Sequence, residues 1–253
     1  MFFPDECRLC GQPLREVSRI PVCRGCLLLP APLEAEFFCV SCRTPFLNAF
    51  PLDFEGRCAL CRSSLRGFDA AYCFGSYEGA LRDLIHLYKY GRIKTLARPL
   101  GEFLSAALPR EERFDAVTPV PLHWFRQYQR GFNQAEALAR EIARRTGLVF
   151  ARTLRRGRPT SAQAGLSNTA RHRNVAGAFR CRRGIRRAGR LEGKRILLVD
   201  DVLTTGSTAA ACALALKRGG AARVTVLTVA RVDRRMGGTR AASAARSAAG
   251  GRP

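Results

Sequence analysis

The stretch Ile196-Leu197-Leu198-Val199-Asp200-Asp201-Val202-Leu203-Thr204-Thr205-Gly206-Ser207-Thr208 decides the fold. Its aliphatic run predicts a buried strand over 195–199. Two carboxylates stand where that strand is expected to end. A loop of small and hydroxyl residues then leads into a helix over 208–218, closed by Gly219 and Gly220. Backbone N–H groups at a helix N-terminus attract phosphate, and threonine and serine hydroxyls add donors. Gly206 lets the main chain approach an anion closely. Adjacent acids by themselves would repel a phosphate. They make sense as acceptors for sugar hydroxyls while the loop beyond holds the phosphate, so the ligand suggested is a phosphorylated sugar. The plainer alternative is that an aspartate caps the turn and a hydroxyl caps the helix.

Downstream, 223–229 reads as another strand, and strand–helix–strand within 35 residues implies a parallel sheet. Upstream, a strand is expected over 71–77, helices over 81–90 and 93–108, and a strand over 114–120 stopped by Pro119 and Pro121. A polar loop over 122–133 precedes an amphipathic helix over 134–146, punctuated by Gly147. Residues 151–195 show little periodicity and read mostly as loop. Residues 234–253 are rich in Ala, Gly, Arg and Ser and are expected to be disordered.

Eight of the eleven cysteines form Cys-x-x-Cys pairs: Cys7/Cys10, Cys23/Cys26, Cys39/Cys42 and Cys58/Cys61. Two residues between thiolates let one turn present both sulfurs to one ion, and a second turn completes a tetrahedral site. Residues 1–62 therefore read as a double zinc ribbon, holding two structural zinc ions and stapled by metal because the segment is too small for a core. Sequential pairing is simplest, and the spacing leaves interleaving open. Cys73, Cys181 and Cys212 stand alone, and Cys212, among alanines in the expected helix, reads as core packing.

The formal net charge is +23, and all of the excess lies beyond residue 62. Residues 151–195 carry fourteen basic side chains against Glu192 alone. An arginine-rich coding bias explains arginine replacing lysine, but not the missing acids, so a surface facing a polyanion is expected. The absence of a long apolar run and of a basic leader predicts a cytoplasmic protein with no membrane span.

The quoted string resembles the 5-phosphoribosyl pyrophosphate (PRPP) signature of type I phosphoribosyltransferases at every position. Further segments resemble the ComF family of competence proteins: Leu122-His123-x-x-Arg126-x-x-x-Arg130-Gly131-Phe132-Asn133-Gln134, Gln163-x-x-Leu166-x-x-x-x-Arg171-x-x-Asn174 followed by Phe179, Tyr88-Lys89-Tyr90, and the cysteine knuckles. The resemblance implies an α/β fold: a type I phosphoribosyltransferase-like parallel sheet flanked by helices over 68–233, joined to the zinc module over 1–62 and a basic tail over 234–253. It implies that Asp200 and Asp201 contact the ribose, and that Thr204, Thr205, Gly206, Ser207 and Thr208 hold the 5′-phosphate. Arg130 and Gly131 match the pyrophosphate loop, with Lys89 and Arg126 assisting and Mg²⁺ accompanying PRPP. Arg158, Gln163, Arg171, Arg173 and Asn174 fall where such enzymes carry a flexible lid, and the same arginines equally suit a DNA backbone. His123 and His172 are acid–base candidates with no visible partner. The family's link is to natural transformation, with single-stranded DNA and other competence proteins as partners. The acceptor substrate is not legible, which leaves a phosphoribosyltransferase and a non-catalytic PRPP sensor or DNA-binding factor both open.

Overall fold

The computed structural model describes residues 6–14, 19–46, 48–62, 67–122, 124–157 and 177–232, with only the backbone of 60, 124–126, 186 and 187. In chain order the cysteine segment holds α1 (Arg24–Leu28), β1 (Phe37–Phe38), β2 (Pro45–Phe46) and α2 (Ala59–Arg62). Then follow β3 (Ala70–Ser76), α3 (Gly79–Tyr90), a 3₁₀ turn (Lys94–Leu96), α4 (Ala97–Ala106), β4 (Ala116–Pro119), α5 (Trp124–Arg130) and α6 (Gln134–Thr146). The rest comprises β5 (Val149–Phe150), β6 (Leu154–Arg156), β7 (Phe179–Cys181), α7 (Arg183–Arg187), β8 (Arg195–Leu203), α8 (Ser207–Lys217) and β9 (Arg223–Arg231).

Five strands form one parallel sheet in the order β3-β9-β8-β4-β5. β8 and β9 lie inside it, and their alternate residues feed two cores. Leu197, Val199, Leu227 and Val229 face Leu84, Ile85 and Tyr88 of α3, Leu100 and Leu104 of α4, and Leu138 and Ile142 of α6. Ile196, Leu198, Val224 and Val226 face Ala209, Ala213 and Leu216 of α8, together with Leu154 and Phe179. Both faces are covered, as an all-parallel sheet requires.

The structure refines three expectations. The 122–133 loop contains α5, a seven-residue helix ending at Arg130. The 151–195 stretch, expected to be mostly loop, includes the antiparallel pair β6–β7 and the short α7 among its described residues. β8 runs on to Leu203 because Asp200 and Val202 still pair with Thr228 and Ala230 of β9, which places the two carboxylates inside the strand. The lid residues Arg158, Gln163, Arg171, Arg173 and Asn174, both candidate histidines, the Arg126 side chain and the 234–253 tail lie outside the described residues.

The cysteine segment straddles the sheet at its β3 edge. Cys7, Val22 and Cys26 join the core beneath α3, whereas Cys39, Cys42 and Cys58 join the opposite core. The same segment supplies hydrogen bonds that the outer rim of β3 would otherwise lack: Leu33 N–H donates to the Phe74 carbonyl (2.6 Å), and Ala71 N–H donates to the carbonyl of Ser41, within the Cys39–Cys42 knuckle (3.0 Å). The approach is close enough that a Cβ on Gly75 would stand 2.8 Å from the Ala31 carbonyl oxygen. Among the described residues no helix is long and apolar enough to cross a membrane.

Candidate functional site

At the carboxyl end of β8, where open α/β sheets place ligands, lies a cavity of about 230 Å³. Its floor is Asp200, Asp201, Thr204, Gly206 and Thr208, and its walls are Tyr77, Lys89, Arg130, Gln134 and Arg156. Four elements therefore converge: β8 with its loop, the last turn of α3, the α5–α6 junction, and β6.

Gly206 occupies the left-handed region (φ 81°) at the N-cap of α8, a conformation that costs a side-chain-bearing residue strain. Thr205 Oγ1 lies 2.8 Å from Ser207 Oγ and accepts the Ser207 N–H at 3.4 Å. These two hydroxyls brace the turn, while Thr204 and Thr208 line the cavity. Asp200 Oδ1 accepts the Asp201 N–H at 2.9 Å.

The carboxylates differ in their surroundings. Burial pushes Asp200 up to about 7, reinforced by the neighbouring Asp201 charge and only partly opposed by Lys89 and Arg130. Asp201 has an ion pair with Lys89 at 2.8 Å, both side chains nearly buried. Burial alone would depress the Lys89 ammonium, yet the Asp201 carboxylate outweighs it and holds the lysine above its ordinary value. The site thus stores a cation that any competing anion could recruit.

Arg130 closes α5, lays its guanidinium 5.4 Å from the Tyr90 ring centroid, and donates to Gln134 Oε1 at 3.3 Å. Because a guanidinium only donates, the amide must turn Oε1 toward it. Gln134 is 1% exposed, and its Nε2 finds no acceptor among the described residues. Asn133 caps α6 by accepting the Glu136 N–H at 3.4 Å, while its own amide donates to the Val120 carbonyl at 3.3 Å. That links β4 to the loop where Gly131 takes φ 76°. Buried Tyr88 donates to the Gln134 carbonyl at 2.9 Å and packs edge-on against Phe132.

The structure brings together Lys89, Arg130, Asp200, Asp201, Thr204, Gly206 and Thr208 from the sequence-derived set, with Gly131, Thr205 and Ser207 beside them. Sequence reasoning missed Arg156, which reaches the cavity from β6 with its guanidinium 5.3 Å from the Phe179 ring centroid. No local signal marked it: Leu154-Arg155-Arg156 is too short to display a period, and the strand's pleat is what puts Arg156 on the same side as buried Leu154.

The cysteines resolve into two clusters, Cys7/Cys10/Cys23/Cys26 and Cys39/Cys42/Cys58/Cys61, with each set of sulfurs within 4.8 Å of one another. The pairing is sequential, which settles the alternative left open by the spacing. All eleven cysteines are unbridged. Cys10–Cys23 and Cys42–Cys58 sulfurs stand 3.8 and 3.7 Å apart, close to the ~3.8 Å edge of a tetrahedron with ~2.3 Å metal–sulfur bonds. Burial opposes ionisation of Cys7, but N–H donors from Cys23, Cys10 and Leu9 and the Cys10 thiol outweigh it and pull it down to about 6. Hydrogen bonding from Cys39 and Cys61 pulls Cys58 down to about 6 against the opposing effect of Cys42 and burial. Burial pushes Cys26 up, and hydrogen bonding with neighbouring thiols pushes Cys39 and Cys61 up, so each metal-free cluster shares its protons unevenly and a bound metal would have to displace those that remain.

A phosphoribosyl transferase domain model matches residues 129–244. "DNA utilization protein YhgH" of Salmonella typhimurium is 30% identical over 90% of this chain and 97% of its own length. The chain belongs to the ComF family. Two other relatives agree: YhgH of Salmonella typhi (35% identical, over 61% of this chain and 69% of that protein) and "Competence protein F" of Haemophilus influenzae (31%, over 65% and 73%). The parallel sheet with flanking helices and the matched domain make this a ComF protein with a phosphoribosyltransferase fold.

Proposed function

We propose that this ComF protein binds PRPP with Mg²⁺ in the β8 cavity and acts as a phosphoribosyltransferase-fold component of DNA uptake in the cytoplasm. The observation that carries the reading is the convergence of Asp200 and Asp201 with the Thr204–Thr208 loop below and the cations Lys89, Arg130 and Arg156 above. On this reading the loop amides and Thr204 and Thr208 hold the 5′-phosphate, and Thr205 and Ser207 keep the turn in shape. Asp200 and Asp201 accept from the ribose hydroxyls. Arg130, Arg156, Lys89 and the Gly131 backbone face the pyrophosphate. Mg²⁺ bound with PRPP neutralises leaving-group charge as it develops. Hydroxyls arriving at Asp201 release Lys89 toward pyrophosphate, so binding rearranges an ion pair already in place. Zinc in both cysteine clusters completes the molecule.

Calorimetry of the purified chain with PRPP and Mg²⁺ tests this. Wild type binds in the millimolar-to-micromolar range, and Asp201→Ala or Thr205→Val weakens binding on the order of tenfold or more, the loss of one charged hydrogen bond or of the loop's brace. Unchanged affinity in both variants refutes the site.

A second surface supports the DNA side of the reading. Arg155, Arg180, Arg183 and Arg218 line a cleft of about 580 Å³ beside β7 and the end of α8. Arg155 and Arg180 lie directly opposite one another in the β6–β7 ladder, a repulsive pairing. Among the described residues none of the four makes an ion pair. Four cations held together without counter-charge fit the phosphates of single-stranded DNA, with Arg158, Gln163, Arg171, Arg173 and Asn174 between the two strands in sequence as a further lid or DNA contact. A non-catalytic PRPP-responsive DNA binder would use the same two surfaces. Pyrophosphate release from PRPP in the presence of nucleobases or single-stranded DNA separates it from a transferase.

A further inference from the structure

Arg231, the last residue of β9, is 3% exposed. A guanidinium stays charged at any pH the protein meets, and a buried charge is costly unless opposed. Among the described residues no carboxylate forms an ion pair with it. Its Nη1 donates to the Cys42 carbonyl and its Nη2 to Thr44 Oγ1 at 2.6 Å, while its Nε has no partner among them. Thr44, itself 3% exposed, stands 2.8 Å from the Cys42 sulfur. Both of these hydrogen bonds therefore lead into the second cysteine cluster; the guanidinium also lies against the lone Cys73 thiol, which burial keeps protonated and which offers no counter-charge.

Four thiolates around a divalent ion carry a net double negative charge. Placed on Cys39, Cys42, Cys58 and Cys61, that charge opposes the Arg231 guanidinium through Thr44 and the Cys42 peptide. The orphaned Nε and the uncompensated charge fit a metallated cluster and not four neutral thiols. We propose that Arg231 is the counter-ion of the second metal–thiolate cluster, holding it to the sheet from outside the zinc ribbon. The proposal rests on the zinc reading above. It makes the two clusters unequal, because of the two clusters the Arg231 side chain reaches only the second. It also connects that cluster to the ligand site, since Arg231 pairs across the sheet with Leu203, the residue before Thr204.

The test uses the full zinc-loaded chain. Zinc release is followed against rising chelator, and thermal unfolding is recorded with and without metal. Arg231→Met keeps the side chain's length and removes its charge. One of the two zinc ions should then leave at a chelator concentration tenfold to a hundredfold lower, the usual effect of losing a ligand-orienting partner. Metal-free Arg231→Met should unfold no lower than metal-free wild type, because the uncompensated charge is gone. Arg231→Lys, which keeps the charge, should retain both ions within about threefold of wild type on the same reasoning. It also supplies the comparison should the methionine variant fail to fold. Equal zinc release in Arg231→Met and wild type overturns the proposal, as does early release in Arg231→Lys. The nearest acid in sequence, Asp233, provides a control: zinc loss or destabilisation in Asp233→Asn matching Arg231→Met would make Asp233, and not the cluster, the charge partner of Arg231 and would overturn the proposal. Wild type with no zinc at all would overturn the zinc reading itself, a result distinct from two tightly held ions indifferent to residue 231.

Discussion

Asp200 and Asp201 are neighbours in sequence with different electrostatic fates. Asp201 has its cation in Lys89, whereas Asp200 is desolvated against a like charge. The native chain holds a proton on Asp200 that the unfolded chain, with an ordinary value of 3.8, has released. Its contribution to stability is complete below about pH 4 and is lost as pH rises through about 7. Ligand binding has the opposite slope, because ribose hydroxyls need an ionised acceptor. PRPP affinity should rise between pH 6 and 8 in calorimetry, and Asp200→Asn should be weaker and lose that slope. A slope surviving in the variant would belong to the ligand's own phosphate and would refute the assignment to Asp200. The carboxylate pair was legible in the sequence as chemistry, but its burial was not. Burial follows from β8 continuing in register with β9 past Val199, a tertiary fact that two acids in a row conceal. Arg156 was hidden for a related reason, since an inward-facing arginine in a three-residue strand looks like one more basic surface residue.

Among the elements, long periodic segments were readable. The helix at 134–146 is present with those bounds, capped by Asn133 and ended by Gly147 at φ 73°, since capping chemistry is local. Short elements were not. Trp124–Arg130 lacks an apolar stripe, and β6 and β7 hold three residues each, too few to display a period. The phosphate loop was readable because its requirement is local too. Gly206 supplies a left-handed residue at the mouth of α8, and a Cβ there would meet nothing nearer than Phe68 at 3.8 Å. The cost of Gly206→Ala is thus backbone strain alone, about 1–2 kcal/mol. Denaturant unfolding should show that loss, and PRPP affinity should fall as the turn relaxes away from its shape. A variant as stable as wild type would mean the loop adopts another conformation.

The charge of the whole molecule was countable in advance, but its arrangement was not. Composition located the excess in 151–195, and folding selects from it the ladder pair Arg155 and Arg180 and joins them to Arg183 and Arg218. Anisotropy of labelled single-stranded DNA over a salt series should give a log–log slope near −0.7 per phosphate neutralised, with little sequence preference. Changing those four arginines to Gln should flatten the slope while leaving PRPP binding intact. Absence of binding by wild type at low salt would reduce the basic run to compositional bias.

The segment crossing β3 has a consequence for anyone who would isolate the sheet domain. Leu33 and Ser41 occupy the hydrogen-bonding rim of that strand. A fragment starting at Gly67 keeps all five strands of the sheet but bares a seven-residue rim of unpaired amides and carbonyls. Such a rim recruits whatever strand is available, most readily the same rim on another copy. The fragment should therefore elute during size-exclusion chromatography as dimers and larger aggregates at concentrations where the whole chain does not. Replacing Tyr72 with Lys on the bared strand should suppress that self-association. A monodisperse, monomeric fragment would show that β3 needs no cover from the cysteine segment.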